Sequence, residues 1–110
     1  MPLTREFKQT VQARAVRDAA FREALFEEAM AALFDGEVSV GKAVLRDYVN
    51  ATVGFQELGR LTSKSPKSLM RMLSDDGNPT ASNLFAIVAT LKQREGYEIA
   101  IHQTDEITNK

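Results

Sequence analysis

The stretch TSKSPKSLMRMLSDDGNPT, Thr62 to Thr80, holds the pattern on which the fold turns. Its first ten residues carry Lys64, Lys67 and Arg71 and no acid, although the whole chain has a formal net charge of −1. Ser65 followed by Pro66 marks a helix start. The serine side chain can accept from a backbone N–H of the first turn, and proline loses nothing at a position whose N–H has no partner. Asp75-Asp76-Gly77 closes that helix, and Asn78-Pro79 forbids its continuation. Between these signals lies a short helix, expected from Pro66 to about Ser74. At about 100° per residue, Leu69 and Leu73 share one side, while Lys67, Ser68, Arg71 and Ser74 share the other. Met70 and Met72 flank the apolar stripe and suit a core or an interface.

Working outward, the rest of the chain also reads as helix. Leu3, Phe7 and Val11 repeat at four-residue steps, predicting a first helix over Leu3 to Val16. Asp18 is a predicted N-cap for a second helix, which Gly36 ends. A third helix is expected over Glu37 to Thr52, with Val40, Val44, Leu45, Tyr48 and Val49 inward. A fourth covers Phe55 to Leu61, with Phe55, Leu58 and Leu61 inward. Thr80 caps a sixth over Ala81 to Glu95, whose inward residues are Leu84, Ile87, Val88 and Leu91. From Tyr97 to His102 the period changes: Tyr97, Ile99 and Ile101 alternate with polar or small neighbours, a strand pattern. A lone strand has unpaired edges, so pairing with the same strand of a second copy is expected.

The fold class predicted is therefore mainly α, five to six helices with one C-terminal β-strand paired across a dimer. Residues 1–35 are expected as an N-terminal helical arm, 36–103 as the main domain and 104–110 as a flexible tail. Of 110 residues, 44% are hydrophobic and 26% charged, which excludes a disordered chain. The absence of cysteine excludes a disulfide framework and thiolate metal sites, and suits a reducing cytoplasm. The charged N-terminal stretch is not expected to be a signal peptide, and no apolar run approaches the ~20 residues of a membrane span. A cytoplasmic protein is the expectation.

Two short helices joined by about three residues form a helix-turn-helix pattern. Gly59 stands where the second helix must cross the first closely, and Leu58 and Leu69 are placed to fill the angle. Met72 or Leu73 would anchor the second helix to the core. A second helix of this kind lies in the DNA major groove with its N-terminal residues toward base edges. Lys67 and Arg71 then suit guanine O6 and N7, and Ser65 and Ser68 are short donors for base edges or phosphate. Arg60 and Lys64 are expected at the phosphate backbone.

At these residues the chain resembles the helix-turn-helix antidote proteins of toxin–antitoxin modules, HigA-like and related to the phage-repressor (XRE) regulators. The shared pattern comprises Leu58-Gly59, the Thr-x-x-Ser turn Thr62-Ser63-Lys64-Ser65, the helix Pro66 to Leu73, and GNPTASNLFAIVATL, Gly77 to Leu91. Val40 to Leu61 also looks like this group. The turn departs from the family at two positions: Ser63 replaces the usual glycine, and Lys64 replaces an apolar residue. The resemblance covers about Gly36 to Ile101. It implies a lambda-repressor-like core and a homodimer that binds a double-stranded operator and represses its own operon. It also implies a small basic RNA-cleaving toxin as partner. Symmetric pairing through Tyr97, Ile99 and Ile101 is the expected dimer contact.

Other classes remain as alternatives. A phage-type regulator without a toxin shares every feature above. A helical protein-interaction module would use the apolar residues of the first two helices, from Phe7 to Phe34, to grip a partner without DNA. An enzyme is disfavoured. His102 is the one histidine, Asp75 and Asp76 are adjacent rather than opposed, and no phosphate loop, metal-ligand spacing or nucleophile–base set is present. No cofactor or metal is expected.

Overall fold

The computed structural model describes residues 5–104 and places six helices along them. These are α1 (Arg5–Arg17), α2 (Ala19–Phe34), α3 (Val38–Ala51), α4 (Phe55–Thr62), α5 (Pro66–Met72) and α6 (Ala81–Glu95). Leu3, expected to begin the first helix, and all but the first residue of the expected tail lie outside the described residues. No helix among the described residues is long and apolar enough to cross a membrane.

The helix starts follow local chemistry. Asp18 Oδ1 accepts from the Phe21 N–H at 3.1 Å, Ser65 Oγ from Ser68 N–H at 3.1 Å, and Thr80 Oγ1 from Asn83 N–H at 3.1 Å. Each cap satisfies a first-turn donor that the helix itself leaves open. The α1–α2 corner is tied twice more. Arg22 donates to the Ala15 carbonyl at 2.9 Å, and the Arg14 guanidinium lies 4.7 Å from the centre of the Phe21 ring.

One core runs through α2 to α6. Phe26, Ala29 and Met30 of α2 meet Leu45, Tyr48 and Val49 of α3. Phe55 and Leu58 of α4, Leu69 and Leu73, and Ile87, Val88 and Leu91 of α6 complete it. The second half of the expected arm is thus built into this core. Val40 and Leu61, expected inward, are 47% and 41% exposed. Val40 precedes Leu45 by five residues, about 140° around the helix, which turns it off the buried stripe. Leu61 sits in the last turn of a short helix, at the edge of the core.

Among the described residues of the single chain there is no strand, and residues 97–104, where one paired across a dimer is expected, are irregular. Gly96, at φ 76°, ends α6, and Tyr97 turns back onto the core. Its ring lies 4.9 Å from that of Phe26, and its hydroxyl is 3.1 Å from the Tyr48 hydroxyl. Alternation describes which side chains face together. It does not supply a ladder partner, and Tyr97 instead finds apolar contacts within its own chain.

Candidate nucleic-acid interface

The basic segment is held by α4, α5 and the turn between them. Ser63 adopts a left-handed conformation, φ 57° and ψ 35°, which sends the chain sharply from α4 toward α5. Ser63 and Lys64 N–H groups both donate to the Gly59 carbonyl, the second at 3.1 Å. A Cβ on Gly59 would lie 2.7 Å from the Lys64 carbonyl oxygen and 3.3 Å from Pro66 Cδ. Any larger residue there would push the two helices apart. Leu58, Leu69 and Leu73 are fully buried and fill the angle behind the turn; Met72 is half-buried and packs beside them.

With the apolar side of α5 fixed inward, its other side faces solvent. Ser65, Lys67 and Arg71 are exposed, and Ser68 and Lys64 are half-buried. Among the described residues, Lys64, Lys67 and Arg71 form no ion pair. Their charges are therefore uncompensated at short range. Ser65 Oγ is already the acceptor of its cap, leaving its hydroxyl proton for another group. Ser74 Oγ is turned to the Arg71 carbonyl at 2.7 Å and is occupied locally. Met70, beside the basic face, is exposed rather than packed.

Arg60 differs from the others. Its Nε donates to Glu57 Oε1 at 2.9 Å and its Nη2 lies against Oε2, a two-point pair one turn apart. Hydrogen bonding to Arg60 lowers the Glu57 pKa from its ordinary value, and the same bonds raise that of Arg60. Arg60 is on the exposed surface, as expected, but with its charge matched.

Two further side chains determine where α5 sits. Lys42, 5% exposed, donates its ammonium to the Gly77 carbonyl, and Arg46 Nη1 donates to the Leu73 carbonyl at 2.8 Å. These cations of α3 take up carbonyls at the C-terminal end of α5 and in the loop beyond it, where helix carbonyls lack internal partners. The same loop passes so close that a Cβ on Gly77 would lie 2.0 Å from the Arg71 carbonyl oxygen. A sequence signal for the two cations existed. Lys42, Leu45, Arg46 and Val49 follow the i, i+3, i+4, i+7 spacing of one helix face, so both lie on the buried stripe.

Of the residues expected to couple two copies, Tyr97 is half-buried against Phe26, whereas Ile99 and Ile101 are exposed. The chain matches no known protein-family model, no curated protein and no solved structure.

Proposed function

We propose that the chain is a sequence-specific DNA-binding transcriptional regulator in which α4 and α5 act as a helix-turn-helix. The observation that carries this reading is the state of Lys67 and Arg71. They are two unpaired cations on the outer face of a short helix, locked from behind by Leu69, Leu73, Gly59 and Lys42. A rigid helix with uncompensated donors is what base-edge recognition in the major groove requires. Lys64 in the turn supplies a phosphate contact, and Arg60, one turn earlier, is held by Glu57 and adds a second only when that carboxylate lets it go. Two copies on an inverted repeat, with half-sites about 10 bp apart, complete the operator complex. The resemblance in Gly36 to Ile101 extends the proposal to an antitoxin that represses its own operon and silences a small RNA-cleaving toxin.

The test is fluorescence anisotropy with a duplex from the chain's own promoter. Arg71→Ala is expected to weaken binding by about 1–3 kcal/mol and to relax preference at one base pair. Circular dichroism should stay unchanged, since Arg71 is exposed. Operator binding by Arg71→Ala equal to that of the parent chain would remove α5 from the interface.

A further inference from the structure

A groove of about 590 Å³ lies between α2 and the segment that follows α6. Phe26, Met30 and Tyr97 form its apolar floor. Phe34, 68% exposed, and Ile99, 47% exposed, stand on its walls. Glu23, Glu27 and Glu98 also line it, all exposed, and no basic residue does among the described residues. Glu23, Glu27, Met30 and Phe34 follow four-, three- and four-residue steps, so they share one face of α2. That face is acidic in its first half and apolar in its second. Nothing from α4 or α5 lines the groove, so an occupant leaves Lys67 and Arg71 uncovered.

The charge pattern selects among occupants. A second copy docked through this same face would bring its Glu23, Glu27 and Glu98 toward an identical set, and like charges in apposition are destabilising. Residues 105–110, DEITNK, carry Asp105 and Glu106 against Lys110 alone, so they too would bring net negative charge to the acidic site. We propose that the groove receives a basic amphipathic segment of a protein partner. Its apolar side chains fill the floor between Phe34 and Ile99, and its lysines or arginines face Glu23, Glu27 and Glu98. Buried apolar area supplies the affinity. The exposed carboxylates contribute little energy singly and act mainly on partner choice and encounter rate. The inference bears on the partner half of the function proposed above and is independent of the DNA half.

The experiment uses the full chain and a fluorescein-labelled helical peptide of leucine and lysine in amphipathic spacing, with a leucine–glutamate peptide as control. The lysine peptide is expected to bind and the glutamate peptide not. Phe34→Ala should weaken binding by at least about tenfold and the charge reversal Glu27→Lys by about fivefold, while Asp75→Lys, a charge change in the loop after α5, should leave it within about twofold. Equal losses in Glu27→Lys and Asp75→Lys would reduce the effect to general attraction by an acidic chain and overturn the proposal. Sedimentation of the free chain addresses the second copy. A dimer that Phe34→Ala dissociates assigns the groove to it and overturns the proposal. Peptide binding that emerges only after removal of residues 105–110 assigns the groove to the chain's own end, with the same consequence. No DNA enters the assay, so its failure leaves the operator reading standing, and loss of operator binding leaves this one standing.

Discussion

Ser63 and Gly59 test the same turn from opposite sides. A left-handed residue with a Cβ costs roughly 1–2 kcal/mol, and Ser63 sits there at φ 57°. Ser63→Gly removes that cost, and glycine's larger unfolded-state entropy returns only part of it, so stability is expected to rise by about 0.5–1 kcal/mol. Gly59→Ala should act in reverse. Its Cβ would press on a backbone oxygen at 2.7 Å, and reopening the crossing costs about 1–3 kcal/mol. Urea midpoints should order the proteins Ser63→Gly, parent, Gly59→Ala; an unchanged midpoint for Gly59→Ala would mean the crossing is slack. These residues were legible in advance because their chemistry is local. A cap, a left-handed turn or a close crossing involves groups a few positions apart, as at Asp18, Ser65 and Thr80. Arg60 was harder. Its base was counted, but its bidentate union with Glu57 depends on two rotamers that spacing alone does not choose.

The helices were legible for a different reason: burial of a stripe repeats every 3.6 residues and is written redundantly. Long-range polar contacts carry no such redundancy, and Lys42 meets Gly77 across 35 positions. Lys42→Met keeps the stem and removes the ammonium, leaving a carbonyl near the end of α5 without its donor. The expected cost is about 1–3 kcal/mol. Hydrogen exchange of α5 amides should accelerate more than that of α2; uniform acceleration would make Lys42 a general stabiliser rather than an anchor of α5. The C-terminal segment is the converse case: its period-2 pattern was legible, and the packing of Tyr97 inside its own chain was not. Tyr97 is held by Tyr48, and burial raises both phenol pKa values above the ordinary value near 10, with the shared hydrogen bond adding to the rise at Tyr48. The folded state therefore keeps these protons longer than the unfolded chain. This contribution to stability is complete below about pH 10 and is lost as pH rises further. Denaturation between pH 8 and about 11 should show a smaller decline for Tyr48→Phe than for the parent chain. Identical declines would mean other groups govern the alkaline limb.

Across the molecule, a net charge of −1 conceals a division into a basic outer face on α5 and an acidic groove on α2. The division makes a quantitative demand on the proposed DNA reading. Affinity for B-DNA falls with salt at a log–log slope of about −0.9 per phosphate neutralised, because each neutralisation releases condensed counterion. Each chain offers Lys64, Lys67 and Arg71 without a partner, while Arg60 is matched by Glu57. With Lys64 at phosphate and Lys67 and Arg71 at base edges, the parent slope should be about −1 per copy, reaching about −3 per copy only if both α5 cations also neutralise phosphate. Glu57→Gln releases Arg60 at an exposed position, where little stability is at stake. It should steepen the slope by about 1 per copy and tighten binding most at low salt. Anisotropy titrations of one duplex over a range of salt measure both slopes together. If Glu57→Gln leaves the slope unchanged, Arg60 lies outside the footprint and the interface ends at the turn. If the parent chain shows no salt dependence, neither Lys64 nor the unpaired cations of α5 meet phosphate, and the operator reading of this face falls.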